Sequence, residues 1–448
     1  MNFRLLWLGY TLSAFGDFVV PAALALAVVR ATGSASALAL VLACASVPRL
    51  VLLPIGGVLA DRWSPRTVAI VAAGVRAVVQ LVIGVELVTG SFRLTDIAVA
   101  SAIGGAASAF ALPTGGPLIR ATVPAARRPR ANGLLGVSRG AAGVLGPAVG
   151  GTLVLTVGPG WAFVVDAATF VVSAVALLLV RLRFAADTPA PRVPMVRSLV
   201  EGWAELRRHD WLWATLIAHG IWNLAAAVMA TLGPLVAVQR AGGELVWVAV
   251  SQAGAVGLLL GSTLATRVGA TGRFGIRPRR PVLWANLSLT LYAVPLALFA
   301  VPASAPWLAI SYGVALAALG FLNPVWESVV QQHVAPDRLA RVNSWDMLIS
   351  FGAMPLGMAL APLASSTSGG EAVPLVTAAI LVAVAMTGTV FAPGVRNLSL
   401  AVGPAADDRP ARPVPIPSPA ANPDGADRSP ARPLPTPAGA GKGHTGSA

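Results

Sequence analysis

Charge is what this chain has little of. Only 11% of its 448 residues are Asp, Glu, Lys or Arg, against roughly 25% in a water-soluble domain. So few ionic groups cannot cover a water-facing globule of this length, and most of its surface must face lipid. Cysteine is nearly absent: Cys44 stands alone in an apolar run, which excludes a disulfide framework and a cysteine metal site. The four histidines, His209, His219, His333 and His444, show no HExxH and no ligand spacing, so no metal and no cofactor are expected. No Gly-x-x-x-x-Gly-Lys-Ser/Thr loop exists to bind a nucleotide. Lysine occurs once, at Lys442, although the basic residues number 32 and the formal net charge is +14. In a soluble protein that surplus would suggest nucleic acid. Here the arginines fall in short clusters between apolar runs, with no basic face interleaved with aromatics, so no nucleic-acid partner is expected.

What is present is apolar length. A helical span needs about 20 mostly apolar residues, and such runs lie near 5–29, 36–60, 68–90, 96–118, 132–156, 162–181, 211–238, 246–267, 281–301, 307–331, 343–366 and 374–393. The first run has full span length and no small-residue cleavage site, so a cleaved signal peptide is not expected. One set of connections carries the arginines: Arg62 and Arg66; Arg120, Arg127, Arg128 and Arg130; the long middle loop; Arg273, Arg277, Arg279 and Arg280; Arg338 and Arg341. The opposite set has little beyond Arg30, Arg93 and Arg240. The positive-inside rule places the first set, and both termini, in the cytoplasm of a bacterial cell.

The expected architecture is an all-α membrane protein of about twelve transmembrane helices in two six-helix bundles. Residues 1–181 form the first bundle, 182–210 a cytoplasmic linker, 211–396 the second bundle and 397–448 a Pro/Ala-rich tail expected to be disordered. In the linker, SLVEGWAELRRHDW sets Trp203, Leu206 and Trp211 near one helical face, which suits an amphipathic helix lying at the membrane interface.

The halves repeat. A shift of 211 positions pairs Phe110 with Phe321, Pro113 with Pro324, Arg130 with Arg341, Asn132 with Asn343 and Gly146 with Gly357. A slightly different shift pairs Gly56, Leu59, Ala60 and Arg62 with Gly261, Leu264, Ala265 and Arg267. Two six-span halves in the same orientation are the parallel repeat of major facilitator transporters. The loop after the second span, Gly-Gly-Val-Leu-Ala-Asp-Arg-Trp-Ser-Pro-Arg over 56–66, resembles that superfamily's signature, Gly-x-Leu-Ala-Asp-Arg-x-Gly-Arg-Arg/Lys. Gly57, Asp61, Arg62 and Arg66 match, while Ser64 and Pro65 replace the usual Gly and first basic residue. The resemblance implies that the four matching residues form a latch on the cytoplasmic side.

Span five reads Ala131-Asn132-Gly-Leu-Leu-Gly-Val-Ser-Arg139 and then Gly143-Val-Leu-Gly146-Pro147-Ala-Val-Gly150-Gly151. It is similar to the fifth helix of drug:proton antiporters, with Gly143, Gly146 and Gly150 for close packing and Pro147 for bending. Plain packing explains the glycines equally well. The start FRLLWLGYTLSAFGDFVVP, the linker EGWAELRRHDWLW and the stretch FLNPVWESVVQQHVAPDRLARVNSWD resemble the macrolide-efflux and enterobactin-exporter group.

Charges inside spans cost at least ~2.5–3.5 kcal/mol at mid-bilayer and mark partners or cavities. Asp17, in the middle of span one, Glu327 in span ten and Arg139 in span five are the proton-coupling candidates. The alternative for Asp17 is a structural Asp–Arg pair or a place nearer the interface, and Arg139 is expected to pair with a carboxylate or to bind an anionic substrate. Arg49 and Arg76 are expected to snorkel or to pair with acids. Asp166 and Asp346 lie near expected span ends, where solvation is the default, and Glu86 is expected to be exposed. Trp222, Asn223, Gln252, Asn286, Asn323 and Trp326 are candidate cavity residues, since aromatic rings suit bulky apolar solutes. The reading is a monomeric secondary transporter in the lipid bilayer, taking protons and a small-molecule substrate and exporting hydrophobic or amphipathic compounds. Its rivals are an importer or uniporter on the same fold, a membrane enzyme, which lacks a catalytic cluster, and a sensor, which lacks a folded output domain.

Overall fold

The computed structural model describes residues 2–180, 195–268, 280–335 and 338–398, and of residues 2, 54, 57–62, 195–199, 266–268 and 340 only the backbone. The tail from 399, the first part of the linker and the Arg273–Arg279 stretch lie outside the described residues.

Every described element is helical, because a backbone in hydrocarbon must satisfy its own polar groups within each segment. Among the described residues, eleven helical segments are long and apolar enough to cross a membrane. The first bundle consists of α1 (Asn2–Thr32), α2 (Ala35–Arg62), α3 (Pro65–Thr89), α4 (Leu94–Ala111) continued by α5 (Gly115–Thr122), α6 (Arg128–Thr156) and α7 (Gly160–Leu179). The span that falls short on hydropathy is α6, whose sequence carries three arginines and seven glycines. It nevertheless runs the full length of the bundle, packed on α1 and α7. The second bundle has α9 (Asp210–Arg240), α10 (Glu244–Val268), α11 (Pro281–Ser288) with α12 (Ala293–Phe299), α13 (Ala305–His333), α14 (Leu339–Gly352) with α15 (Met354–Thr367), and α16 (Ala372–Gly388). The α4–α5 break falls at Leu112–Thr114, where Pro113 withdraws a backbone donor. The α14–α15 break falls at Ala353, just before Pro355.

Both bundles use the same pairings. α2 packs on α4 as α10 packs on α13, α1 on α6 as α9 on α15, and α1 on α7 as α9 on α16. The glycine pairs show why. A Cβ on Gly146 would collide with Phe18 of α1, and one on Gly357 with the Leu224 carbonyl of α9. Likewise Gly56 lies against the Ala109 carbonyl of α4, and Gly261 against the Ala317 carbonyl of α13. Small residues let helices approach closely where no hydrophobic force favours one apolar contact over another.

The bundles meet where α2 packs on α15 and α6 on α10. At one end Arg30 pairs with Glu244, with Nε donating to Oε1 at 2.6 Å, and Gln239 donates to the Gly33 carbonyl at 3.4 Å.

The linker helix differs from expectation. α8 spans Met195–Arg208 and ends at His209, so Trp211 opens α9 instead of extending the linker face. It is buried against Trp326 and His333. The α8 face meets protein: Trp203 stacks on Trp345 with ring centroids 4.9 Å apart. Glu201 pairs with Arg341 at 2.5 Å, and Glu205 pairs with Arg338. Amphipathic periodicity marks a buried face without saying whether lipid or a neighbouring helix covers it.

Candidate functional site

The first bundle holds a cavity of about 580 Å³, with Asp17 at its inner end and Gly116, Ile119, Leu135 and Arg139 along its walls. It runs toward the α5–α6 turn, the end that bears the arginine-rich connections. A second chamber of about 180 Å³ shares Asp17, Arg49 and Arg76 and continues toward Leu24 and Ile83.

Asp17 forms an ion pair with Arg76 of α3. The Asp17 side chain is 43% exposed and that of Arg76 15%, so the carboxylate faces the cavity while the guanidinium is held in the wall. Arg76 also lies over the Phe170 ring of α7, 3.9 Å from its centroid, a cation–π contact that replaces part of its lost hydration. One turn along α3, Gln80 donates to Asp166 of α7, which also accepts from the Thr169 hydroxyl at 3.3 Å.

The burial of Asp166 is a correction. It was expected near a solvated span end, but it is wholly inaccessible and packs against Gly16. The helix begins at Gly160, so Asp166 sits well inside it, facing α1 and α3. Gly16 leaves room for the carboxyl beside Asp17. Asp346 likewise belongs to the interior of α14, where it accepts from Trp326 Nε1 at 2.9 Å and Ser350 Oγ at 2.8 Å. Glu86 is half-buried, not exposed.

Arg49 and Arg139 also line the large cavity. Glu327 does not: it is exposed on α13, outside the Asp17 cluster. None of Trp222, Asn223, Gln252, Asn286, Asn323 and Trp326 lines this cavity either. Trp222 is buried against Tyr292, and Asn286 is inaccessible and donates to Thr215 at 3.1 Å. Trp326 is buried and turned to Asp346, and Asn223 donates to the His219 carbonyl of its own helix. Trp222, Asn286 and Trp326 belong to the core of the second bundle, whereas Asn223 and Gln252 are half-buried and Asn323 is exposed. Helices apolar on every side give no phase by which to tell a core face from a cavity face.

Of the four signature-loop residues, Gly57, Asp61 and Arg62 have side chains outside the described set. Arg66 donates to the carbonyls of Leu177, at 2.8 Å, and Leu178, closing the last turn of α7, where backbone acceptors lack helical partners. In α6, Gly146 and Gly150 meet α1 at Phe18 and Val19, and Gly143 faces the Phe18 ring. Pro147 lies within the continuous helix.

The Major Facilitator Superfamily profile matches residues 6–362. The chain belongs to this superfamily. This facilitator is therefore a membrane transporter and not an enzyme. It is 28% identical over 418 residues to the multidrug efflux pump Tap of Mycobacterium tuberculosis, covering 89% of this chain and 95% of that protein. It is 23% identical over 376 residues to macrolide efflux protein A of Streptococcus pyogenes, covering 82% and 90%. The facilitator fold also matches solved structures. A POT family transporter in complex with a thioalcohol-conjugated peptide superimposes with a TM-score of 0.70 at 12% identity, covering 88% of this chain and 96% of that one. A bacterial homolog of the lysosomal transporter Spinster, inward-facing and unoccupied, gives 0.67 at 17% identity, covering 89% and 98%.

Proposed function

We propose that this facilitator exports hydrophobic or amphipathic small molecules from the bacterial cytoplasm by proton-coupled alternating access, one chain forming the transport unit. The observation that carries the reading is the Asp17 carboxylate, placed in the middle of α1, open to the cavity and paired with Arg76. The printed functions of Tap and macrolide efflux protein A support the direction of transport. With the arginine-rich connections cytoplasmic, the cavity opens inward and the Arg30–Glu244 pair closes the outer end.

Protonating Asp17 removes the negative partner of Arg76. The two conformers then differ in their affinity for the proton, and that difference alone lets a gradient bias them. Each pH unit across the membrane contributes about 1.36 kcal/mol per proton. Substrate contacts come from the apolar wall, including Phe18, Leu112, Ile119 and Leu135. Arg66, with Gly57, Asp61 and Arg62, is proposed as the inner latch, and Glu327 as a secondary proton site outside the cavity.

The test is accumulation of a panel of fluorescent amphipathic dyes in inverted membrane vesicles, with and without a proton gradient. Gradient-dependent accumulation, lost on adding a protonophore and absent from vesicles lacking the protein, is the expected result. Dye loss from preloaded inverted vesicles, driven by the same gradient, would mean import instead.

A further inference from the structure

Taking the cavity as the substrate site, we infer that it selects solutes carrying an anionic group, a carboxylate, sulfonate or phosphate, on an apolar body. Three guanidinium groups, Arg49, Arg76 and Arg139, line the cavity with a single carboxylate, Asp17. That leaves a formal surplus of two positive charges around the cavity. Asp17 is already engaged by Arg76. Neither Arg49 nor Arg139 makes an ion pair or hydrogen bond among the described residues, and both are exposed to the cavity. Arg49 and Arg139 border the same cavity as the Asp17–Arg76 pair, so the unpaired guanidinium groups act on one space.

Arginine is the residue suited to this task. Its planar fork matches a carboxylate or phosphate with two parallel hydrogen bonds, and it gives up its hydration more readily than lysine. Three arginines maintained in an apolar wall are costly unless something pairs with them, and Asp17 satisfies one. Trp7 donates to Ser138 at 2.8 Å, tying α1 to α6 beside Arg139 and fixing that stretch of the wall. The apolar side chains Phe18, Leu112, Ile119 and Leu135 receive the rest of the solute. A lipophilic cation finds the opposite situation: two unpaired like charges, and a carboxylate whose charge Arg76 already offsets.

The test compares three probes that share one apolar body: pyrenebutyrate, pyrenebutanol and pyrenebutylammonium. Binding to the purified full-length protein in lipid nanodiscs is read by pyrene fluorescence. The expected order puts pyrenebutyrate at least about tenfold tighter than pyrenebutylammonium. Arg139→Gln and Arg49→Gln should each weaken pyrenebutyrate about tenfold, close to 1.4 kcal/mol, and weaken pyrenebutanol little. Arg139→Lys should recover part of the loss. Retained pyrenebutanol binding shows that a variant is folded. Equal binding of the anion and the cation, or an anion-to-cation ratio unmoved by both glutamine substitutions, overturns the inference. Because binding is read without a gradient, absence of proton-driven export would overturn the proposed function alone. Charge-blind binding with intact export would overturn only this inference.

Discussion

The two bundles share their helix pairings and fill their interiors with opposite chemistry. In the first, the interior is ionic: Asp17 with Arg76, Gln80 on Asp166, and Arg49 and Arg139 open to the cavity. In the second it is aromatic. Trp222, Tyr292 and Tyr312 follow one another with centroids 4.7 and 6.0 Å apart, and Trp326 packs between Trp211 and His219. Asp346, an acid in its interior, is tied to neutral donors of α13 and of its own helix. A repeated scaffold has to keep its glycine contacts to preserve the pairings, but the face turned to the centre is free to differ. On the proposed mechanism one half supplies the charges that respond to protons and solutes, while the other packs an aromatic core beside them.

The first way to break this comparison is at the shared scaffold. Gly146→Val and Gly357→Val each force a branched side chain into a helix backbone or its first side-chain carbon, and overpacking of this kind costs about 1–3 kcal/mol. Both should lower the melting temperature in detergent by similar amounts, while Gly136→Ala in α6, where a Cβ meets nothing within 4 Å, should leave it unchanged. A large drop in one valine variant and none in the other would mean the bundles are not equivalent where their pairings say they are.

Next comes the ionic interior against the aromatic one. Gln80→Leu strips the donor from one oxygen of a fully buried carboxyl, and a buried acceptor left unsatisfied costs about 1–3 kcal/mol. Trp326→Phe removes a donor from the half-buried Asp346, where an interhelical bond in a membrane is worth about 0.6 kcal/mol. Thermal melts of the two variants should rank in that order. A reversed ranking would place the sensitive network in the second bundle.

The smallest effect is expected at the linker helix. Burial pushes the Glu205 carboxyl up, but the Arg338 guanidinium and the neighbouring His209 outweigh it and hold the group below the usual carboxylate range. A carboxylate whose folded value is depressed stabilises docking above its unfolded value, about 4.3 for Glu. That contribution is lost as pH falls toward and through the folded value. Cross-linking of paired cysteines at Trp203 and Trp345 should therefore be constant from neutral pH down to about 5 and weaken only below it. Glu205→Gln should flatten that part of the profile.

Much of this fold is legible in the sequence, for a physical reason. Lipid demands runs of about 20 apolar residues, and tight helix contacts demand glycine, so the spans and the Gly146/Gly357 and Gly56/Gly261 pairs leave their marks in the chain. Asp17 is legible too, as a charge where apolar residues are the rule. The rest depends on rotation about helix axes. Trp222 and Asn286 stand among apolar neighbours on every side, so nothing in their spacing separates core from cavity. Asp166 lies near the start of its apolar run in sequence, while α7 begins at Gly160 and carries it inside. Its burial comes from Gly16 and Gln80, residues 150 and 86 positions away in sequence. The α8 face met the same limit, since periodicity shows that a face is covered and not what covers it.

Asp17 is the decisive residue. The direct measurement is transport in inverted vesicles by Asp17→Asn, read both as gradient-driven accumulation and as substrate exchange without a gradient. The predicted result is loss of gradient-driven accumulation with exchange retained, since the asparagine keeps the shape of the cavity and cannot carry a proton. Gradient-driven accumulation at the unsubstituted level would contradict it, and would remove the Asp17–Arg76 pair from the coupling mechanism.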